Sequence, residues 1–107
     1  MNMTVPEKDW KYLRSVQAVL LTSLGKRINS KAIAILQSTE LSEIEKYRAL
    51  FRHIQDSDKI VAECFDDWRR SNIWFKLIAL YHHNLLTEDH LRDLTNETKD
   101  LLENVLR

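Results

Sequence analysis

Glycine and proline, the residues that most readily allow sharp turns, are scarce in this sequence: its 107 residues include one of each. Sheet proteins use both residues at their turns, whereas short connections between helices can be built from Asn, Ser, Thr and Asp. Apolar residues instead recur every three to four positions along nearly the whole chain. The sequence therefore predicts an all-α protein. We expect a single domain over residues 1–107, a compact antiparallel bundle of about five or six short helices.

Cysteine and long apolar runs are also scarce. Cys64 is the single cysteine, so no disulfide can form within the chain, which is typical of a reducing compartment. Uninterrupted apolar stretches such as residues 32–36 are far shorter than the roughly 20 residues of a membrane-spanning helix. Residues 1–7 lack the basic start of a secretion signal. We therefore expect a cytoplasmic protein with no membrane partner.

An excess of charge of one sign is absent, since 16 Lys and Arg balance 16 Asp and Glu. This balance provides no global field that would attract nucleic acid, and it favours self-association over repulsion. The last two helices could be drawn as a helix-turn-helix, but residues 88–100 carry more acidic than basic side chains. We therefore do not expect a nucleic-acid partner, although basic residues of the first helix would permit weak contact with phosphates.

Capping residues near the start of the chain predict two helices. Thr4 and Glu7 have the spacing of a capping box and open the first helix. That helix is expected to end at about Leu24, where Gly25 can take the left-handed position that follows a helix. A short second helix is predicted over residues 30–38.

Four further signals place the later helices. Ser42 has the spacing of a second capping box with Glu45, and the helix it opens is expected to break at residues 56–58. A polar break is predicted at residues 69–72. Asn84 suits a left-handed turn, and Thr87 would cap a last continuous helix. The apolar positions of that helix follow a near-heptad seam with neighbours beside it, namely Leu91, Leu94, Leu101, Leu102, Val105 and Leu106.

Two pairs of carboxylates have the form ExxE and ExxD, namely Glu40 with Glu43 and Glu63 with Asp66. This spacing resembles the metal-binding pattern of the all-α nucleoside triphosphate pyrophosphatases, in which pairs on two helices converge on Mg²⁺. The resemblance implies a Mg²⁺-dependent nucleotide hydrolase as the alternative function. Solvated carboxylates on the outside of helices would give the same spacing.

No other group of residues has the pattern of a catalytic site. Cys64 lies on an apolar stripe, which indicates a buried structural thiol rather than a nucleophile. The histidines lack the i, i+4 spacing that binds zinc on a helix. A single glycine leaves no phosphate-binding loop. We therefore predict no catalytic residue, no metal ligand and no cofactor.

The region around two arginines is the best candidate for a binding surface. Arg69 and Arg70 connect two aromatic segments that contain Trp68 and Trp74. Tryptophan and arginine are enriched at binding hot spots, so these four residues are predicted to form a partner surface. The alternative is that the tryptophans are core and the arginines cap the preceding helix.

The predicted function is therefore a small protein-interaction module, such as an adaptor, assembly factor or regulator. It would act through a helical face without catalytic activity, and its partner would be another protein or a second copy of the chain.

Overall fold

The computed structural model describes residues 5–105, and every regular element in that range is a helix. The predicted all-α class is therefore confirmed. Thr4 and Leu106, which the sequence assigned to a cap and to the last apolar seam, lie outside the described residues. The helices are α1 (Glu7–Leu36), α2 (Glu43–Phe65), α3 (Ile73–His82), α4 (Glu88–Arg92) and α5 (Asn96–Val105).

The first helix does not end at Leu24, so that prediction is wrong. α1 continues for 30 residues, and the short helix predicted over residues 30–38 is its last part. Gly25 has no positive φ, and a Cβ built on it would have nothing within 4 Å. A lone glycine costs a helix interior only about 1 kcal/mol, which the packing of α2 beside α1 can offset.

Replacing Gly25 by alanine is expected to raise the free energy of unfolding by about 0.5–1 kcal/mol, because the site is helical and has room for a methyl group. Asn84→Ala provides the contrast, since Asn84 has a φ of 57° that alanine tolerates poorly. Urea unfolding of both variants measures the two effects. A loss of stability in Gly25→Ala would mean that the chain turns at this glycine.

The start of α2 is confirmed, and its predicted interruption is wrong. The Ser42 hydroxyl accepts a hydrogen bond from the Glu45 amide at 3.3 Å, and the Glu45 carboxylate accepts one from the Ser42 amide at 3.1 Å. The helix then runs unbroken through residues 56–58. Asp56 and Asp58 lie exposed on either side of the buried Ser57, so these polar residues fit an amphipathic helix and need no break.

The turn after α3 is confirmed in detail. Asn84 takes the left-handed conformation, and the Leu85 amide donates to the carbonyl oxygen of Leu80 at 2.9 Å, which is a standard helix termination. Thr87 caps α4 by accepting a hydrogen bond from the His90 amide at 3.3 Å. The break predicted at residues 69–72 also lies between two helices, α2 and α3.

The predicted last helix is in fact two helices, α4 and α5. Between them, the Thr95 amide donates to the carboxylate of Asp9 at 2.9 Å, rather than to a carbonyl one turn earlier. Asp9 lies in the first turn of α1 and is fully buried. Asp9, which lies 86 positions earlier in the chain, thus fixes Thr95 just before the start of α5. The apolar seam that the sequence places on one helix is therefore divided between α4, the link that follows it, and α5. Two of its residues, Leu94 and Leu102, are buried.

One hydrophobic core joins the first part of α1, the end of α2 and helices α3 to α5; we call this part of the molecule the body. Cys64 is fully buried there, and burial, with a smaller effect of the neighbouring Glu63 charge, raises the pKa of its thiol to about 11. The predicted buried thiol is confirmed. The largest apolar side chains of the core are Leu13, Leu20, Leu24, Phe65, Ile73, Trp74, Leu77, Leu80, Leu85, Leu86, Leu94 and Leu102.

The remaining part of the hairpin formed by α1 and α2 extends beyond this core. We call residues 25–56 the arm, and within this range no residue is buried. The radius of gyration is 16.5 Å, against roughly 13 Å for a compact domain of this size. The principal extents are 51 × 27 × 24 Å. The molecule is therefore more elongated than the compact bundle that the sequence predicts.

Candidate interaction surface

The arm carries apolar side chains that the chain itself leaves open to solvent. Six of them are between 47% and 64% exposed. They come from the last turn and a half of α1 and from the first half of α2. We call this set the apolar arm face: Ile33, Leu36, Ile44, Tyr47, Phe51 and Ile54.

Helix geometry places these side chains on one side of the arm. Half-buried residues such as Ile28 in α1 and His53 in α2 mark where the helices meet, since His53 Nε2 donates to the carbonyl oxygen of Ile28 at 2.9 Å. In α1 the exposed apolar residues lie about a quarter to a half turn around the helix axis from Ile28, and in α2 they lie a similar rotation from His53. The two rotations have the same sense when each helix is viewed from its N-terminus. In two helices that run in opposite directions, this rotation leads to the same side of the pair.

The other side of the arm carries charged side chains. A shallow groove runs there between the two helices, lined by Lys31 and Ile35 of α1 and by Ala49, Arg52 and Asp56 of α2. The arm is therefore two-sided in cross-section, with charged side chains opposite the apolar arm face. The helix pair of the arm is therefore amphipathic.

A second groove of about 290 Å³ lies where the arm meets the body, between Arg27, His53, Ser57 and His83. Arg27 and His83 of this groove already have partners within the chain. Arg27 donates to two carbonyl oxygens at the end of α3, at 2.6 and 3.0 Å, and His83 Nε2 lies 3.1 Å from a Glu63 carboxylate oxygen. The Ser57 hydroxyl lies 3.5 Å from His53 Nδ1.

The apolar arm face has a regular spacing and a large area. Ile44, Tyr47, Phe51 and Ile54 alternate at three and four residues, as the a and d positions of a coiled coil do. Six side chains of roughly 200 Å² each, about half exposed, present on the order of 600 Å². That is at the upper end of the largest apolar patch on an ordinary monomer.

The two tryptophans of the predicted partner surface differ in exposure. Trp74 is buried in the core at 4% exposure, so its ring cannot contact a partner. Trp68 is half-buried; its Nε1 donates to the carbonyl oxygen of Cys64 at 2.7 Å, and its ring stacks on Phe65 with centroids 6.0 Å apart. Both rings thus pack against the chain itself.

The two arginines also make contacts within the chain. Arg70 forms an ion pair with Glu7 at 3.1 Å and donates to the carbonyl oxygen of Val5 at 2.6 Å, so it ties the turn after α2 to the start of α1. Arg69 is exposed and pairs with Asp67 at 2.7 Å. Of the four predicted residues, Arg69 therefore reaches furthest into solvent.

The carboxylates that resemble a pyrophosphatase site lie far apart. Glu43 is in the first turn of α2, and Glu63 is near the end of the same helix. Twenty helical residues span roughly 30 Å, so the two pairs cannot share one metal ion within a single chain. Within residues 5–105, no three His, Cys, Asp or Glu side chains form a group that could hold a metal.

Comparison with known proteins gives no relative: no family model, curated protein or solved structure matches the chain. Among the helices of residues 5–105, none combines the length and the apolar character that crossing a membrane requires.

Proposed function

We propose that this chain is a small cytoplasmic protein-interaction module, an adaptor, assembly factor or regulator that acts through the apolar arm face. The main support is that six apolar side chains are about half exposed on an arm that contributes no buried residue to the core. Exposed apolar area of this size is unfavourable in water and adds nothing to the stability of the body. A partner that covers it recovers that free energy, which supports binding as the role of the arm.

The proposed contact is helix against helix. The alternation of three and four residues along α2 suits the side chains of another helix, which would insert between them. Tyr47 and Phe51 are the central and largest members of the set, and aromatic residues at the centre of an interface usually contribute most of its affinity. They are therefore the proposed anchors.

The experiment compares two exposed phenylalanines. Phe51→Glu places a charge at the centre of the apolar arm face, whereas Phe75→Glu makes the same change at a side chain of α3 that is 67% exposed and lies outside the arm. Each tagged variant is used to capture proteins from a native lysate that also contains copies of this chain with a different tag.

We expect Phe51→Glu to reduce capture of the specific partner about tenfold or more, because the charge must lose its water on binding. Phe75→Glu should capture as much as the unmodified chain. Equal capture by all three proteins, or equal loss with both variants, would contradict a role for the apolar arm face.

A further inference from the structure

We infer that the partner of the apolar arm face is the same face of a second copy of this chain. The two arms would lie side by side in opposite directions around a two-fold axis, so that their four helices form one antiparallel bundle. This inference rests on the proposed function and names its partner.

The area of the face is close to what a stable dimer needs. The apolar arm face presents on the order of 600 Å², and an ordinary specific interface buries about 800 Å² on each partner. The polar residues at its edge would supply the remainder, as the rim of an interface usually does. A two-fold dimer uses the same patch on both copies, so one patch of this size on the arm is sufficient.

The order of side chains along α2 is compatible with pairing to itself. With two copies of α2 in opposite directions, Tyr47 of one lies opposite Phe51 of the other, and Ile44 lies opposite Ile54. The two aromatic side chains then fill the middle and the isoleucines fill both ends. The 3–4–3 spacing is the same when it is read in either direction, so both helices present a matching seam.

The charge of α1 is complementary to the glutamates of the arm tip in the same arrangement. Residues 10–36 of α1 contain no acidic residue but several basic ones, of which Lys26 stands at the base of the arm. The tip carries Glu40, Glu43 and Glu45, of which Glu43 pairs with Lys46 of its own helix at 3.3 Å. Opposite directions bring the tip glutamates of one copy near Lys26 of the other, at a level where α2 also carries Asp56 and Asp58. The net charge of zero adds no overall repulsion between copies.

The first test measures the mass of the purified full chain in solution by sedimentation. We expect about 25 kDa, twice the 12.7 kDa of one chain, at micromolar concentration. Phe51→Glu should sediment as a monomer, and Phe75→Glu as a dimer. Far-ultraviolet circular dichroism checks that each variant keeps its helices, which we expect because both side chains are more than half exposed.

The outcomes separate this inference from the proposed function. A monomeric wild-type chain at about 100 µM, or a dimer that Phe51→Glu leaves intact, would overturn the second copy as the partner. If Phe51→Glu then still abolished capture of a different protein, the proposed function would stand with another partner. If the wild-type chain is a monomer and Phe51→Glu also captures as much protein as the unmodified chain, both the inference and the proposed function are overturned.

Charge reversal tests the direction of the two arms. Glu43→Lys and Lys26→Glu should each weaken the dimer severalfold, because each places like charges together at two symmetry-related positions. The double variant should restore the wild-type dissociation constant. Equal weakening in the double variant would exclude the antiparallel arrangement. Sodium chloride should reduce the effects of the single variants, as expected for exposed charges.

Discussion

Replacing Trp74 by alanine is expected to lower the free energy of unfolding by about 3–5 kcal/mol, because the substitution leaves a large cavity in the core. Trp74 is 4% exposed and lies in the core with Leu77 and Leu80 of its own helix. Such a loss is a large part of the total stability of a domain of this size. Urea unfolding followed by circular dichroism measures it.

The neighbouring residue supplies the control. Phe75 belongs to the same turn of α3 but is 67% exposed, so Phe75→Ala should change stability by less than about 0.5 kcal/mol. A small effect at Trp74, or similar effects at both positions, would mean that the tryptophan ring lies at the surface, as the partner-surface prediction required.

Replacing Asp9 by alanine is expected to cost about 2–4 kcal/mol, because its buried carboxylate accepts several hydrogen bonds at once. The Thr95 amide and the Thr95 hydroxyl donate to it at 2.9 and 2.7 Å, and the Thr98 hydroxyl donates as well. The negative charge also stands at the start of α5, where the helix dipole stabilises it. Thermal and urea unfolding measure the loss.

Two variants isolate the role of this carboxylate. Asp100 is exposed on α5, so Asp100→Ala should change stability by less than about 0.5 kcal/mol. Thr98→Val, alone and together with Asp9→Ala, completes a double-mutant cycle. We expect the double variant to lose less than the sum of the single losses, because both remove the same hydrogen bond. Additive losses would show that the two side chains do not interact.

Helix ends set by neighbouring residues are predictable from this sequence. Ser42 and Glu45, Asn84, and Thr87 each act on backbone groups within about one turn, so their chemistry is complete in a short stretch of sequence. The all-α class follows for a similar reason, since it depends on composition and local period. These features match the structure.

Features that depend on distant residues are not predictable in this way. The break before α5 requires Asp9, whose neighbours in sequence suggest an ordinary solvated carboxylate. The continuity of α1 through Gly25 depends on the packing of α2 beside it, which can compensate for a poor helix former.

Exposure is the hardest property to predict, and it decides where a binding surface lies. α3 is apolar on every side, so its period does not distinguish the buried Trp74 from the exposed Phe75. Tyr47 and Phe51 have the spacing of a core stripe, yet the chain leaves them uncovered. The sequence shows the apolar stripe, and the length of the two helices beyond the body shows that no other part of residues 5–105 covers it.

The continuity of α1 has a mechanical consequence. The same unbroken helix is anchored in the body by Leu13 and Leu20 and carries Leu36 at its far end, so it acts as a stiff rod of about 45 Å. Whatever binds the arm is therefore held at a fixed distance and rotation from the body. In a pair of such molecules, the two rods would hold the two bodies at a fixed separation, at opposite ends of the bundle formed by the arms.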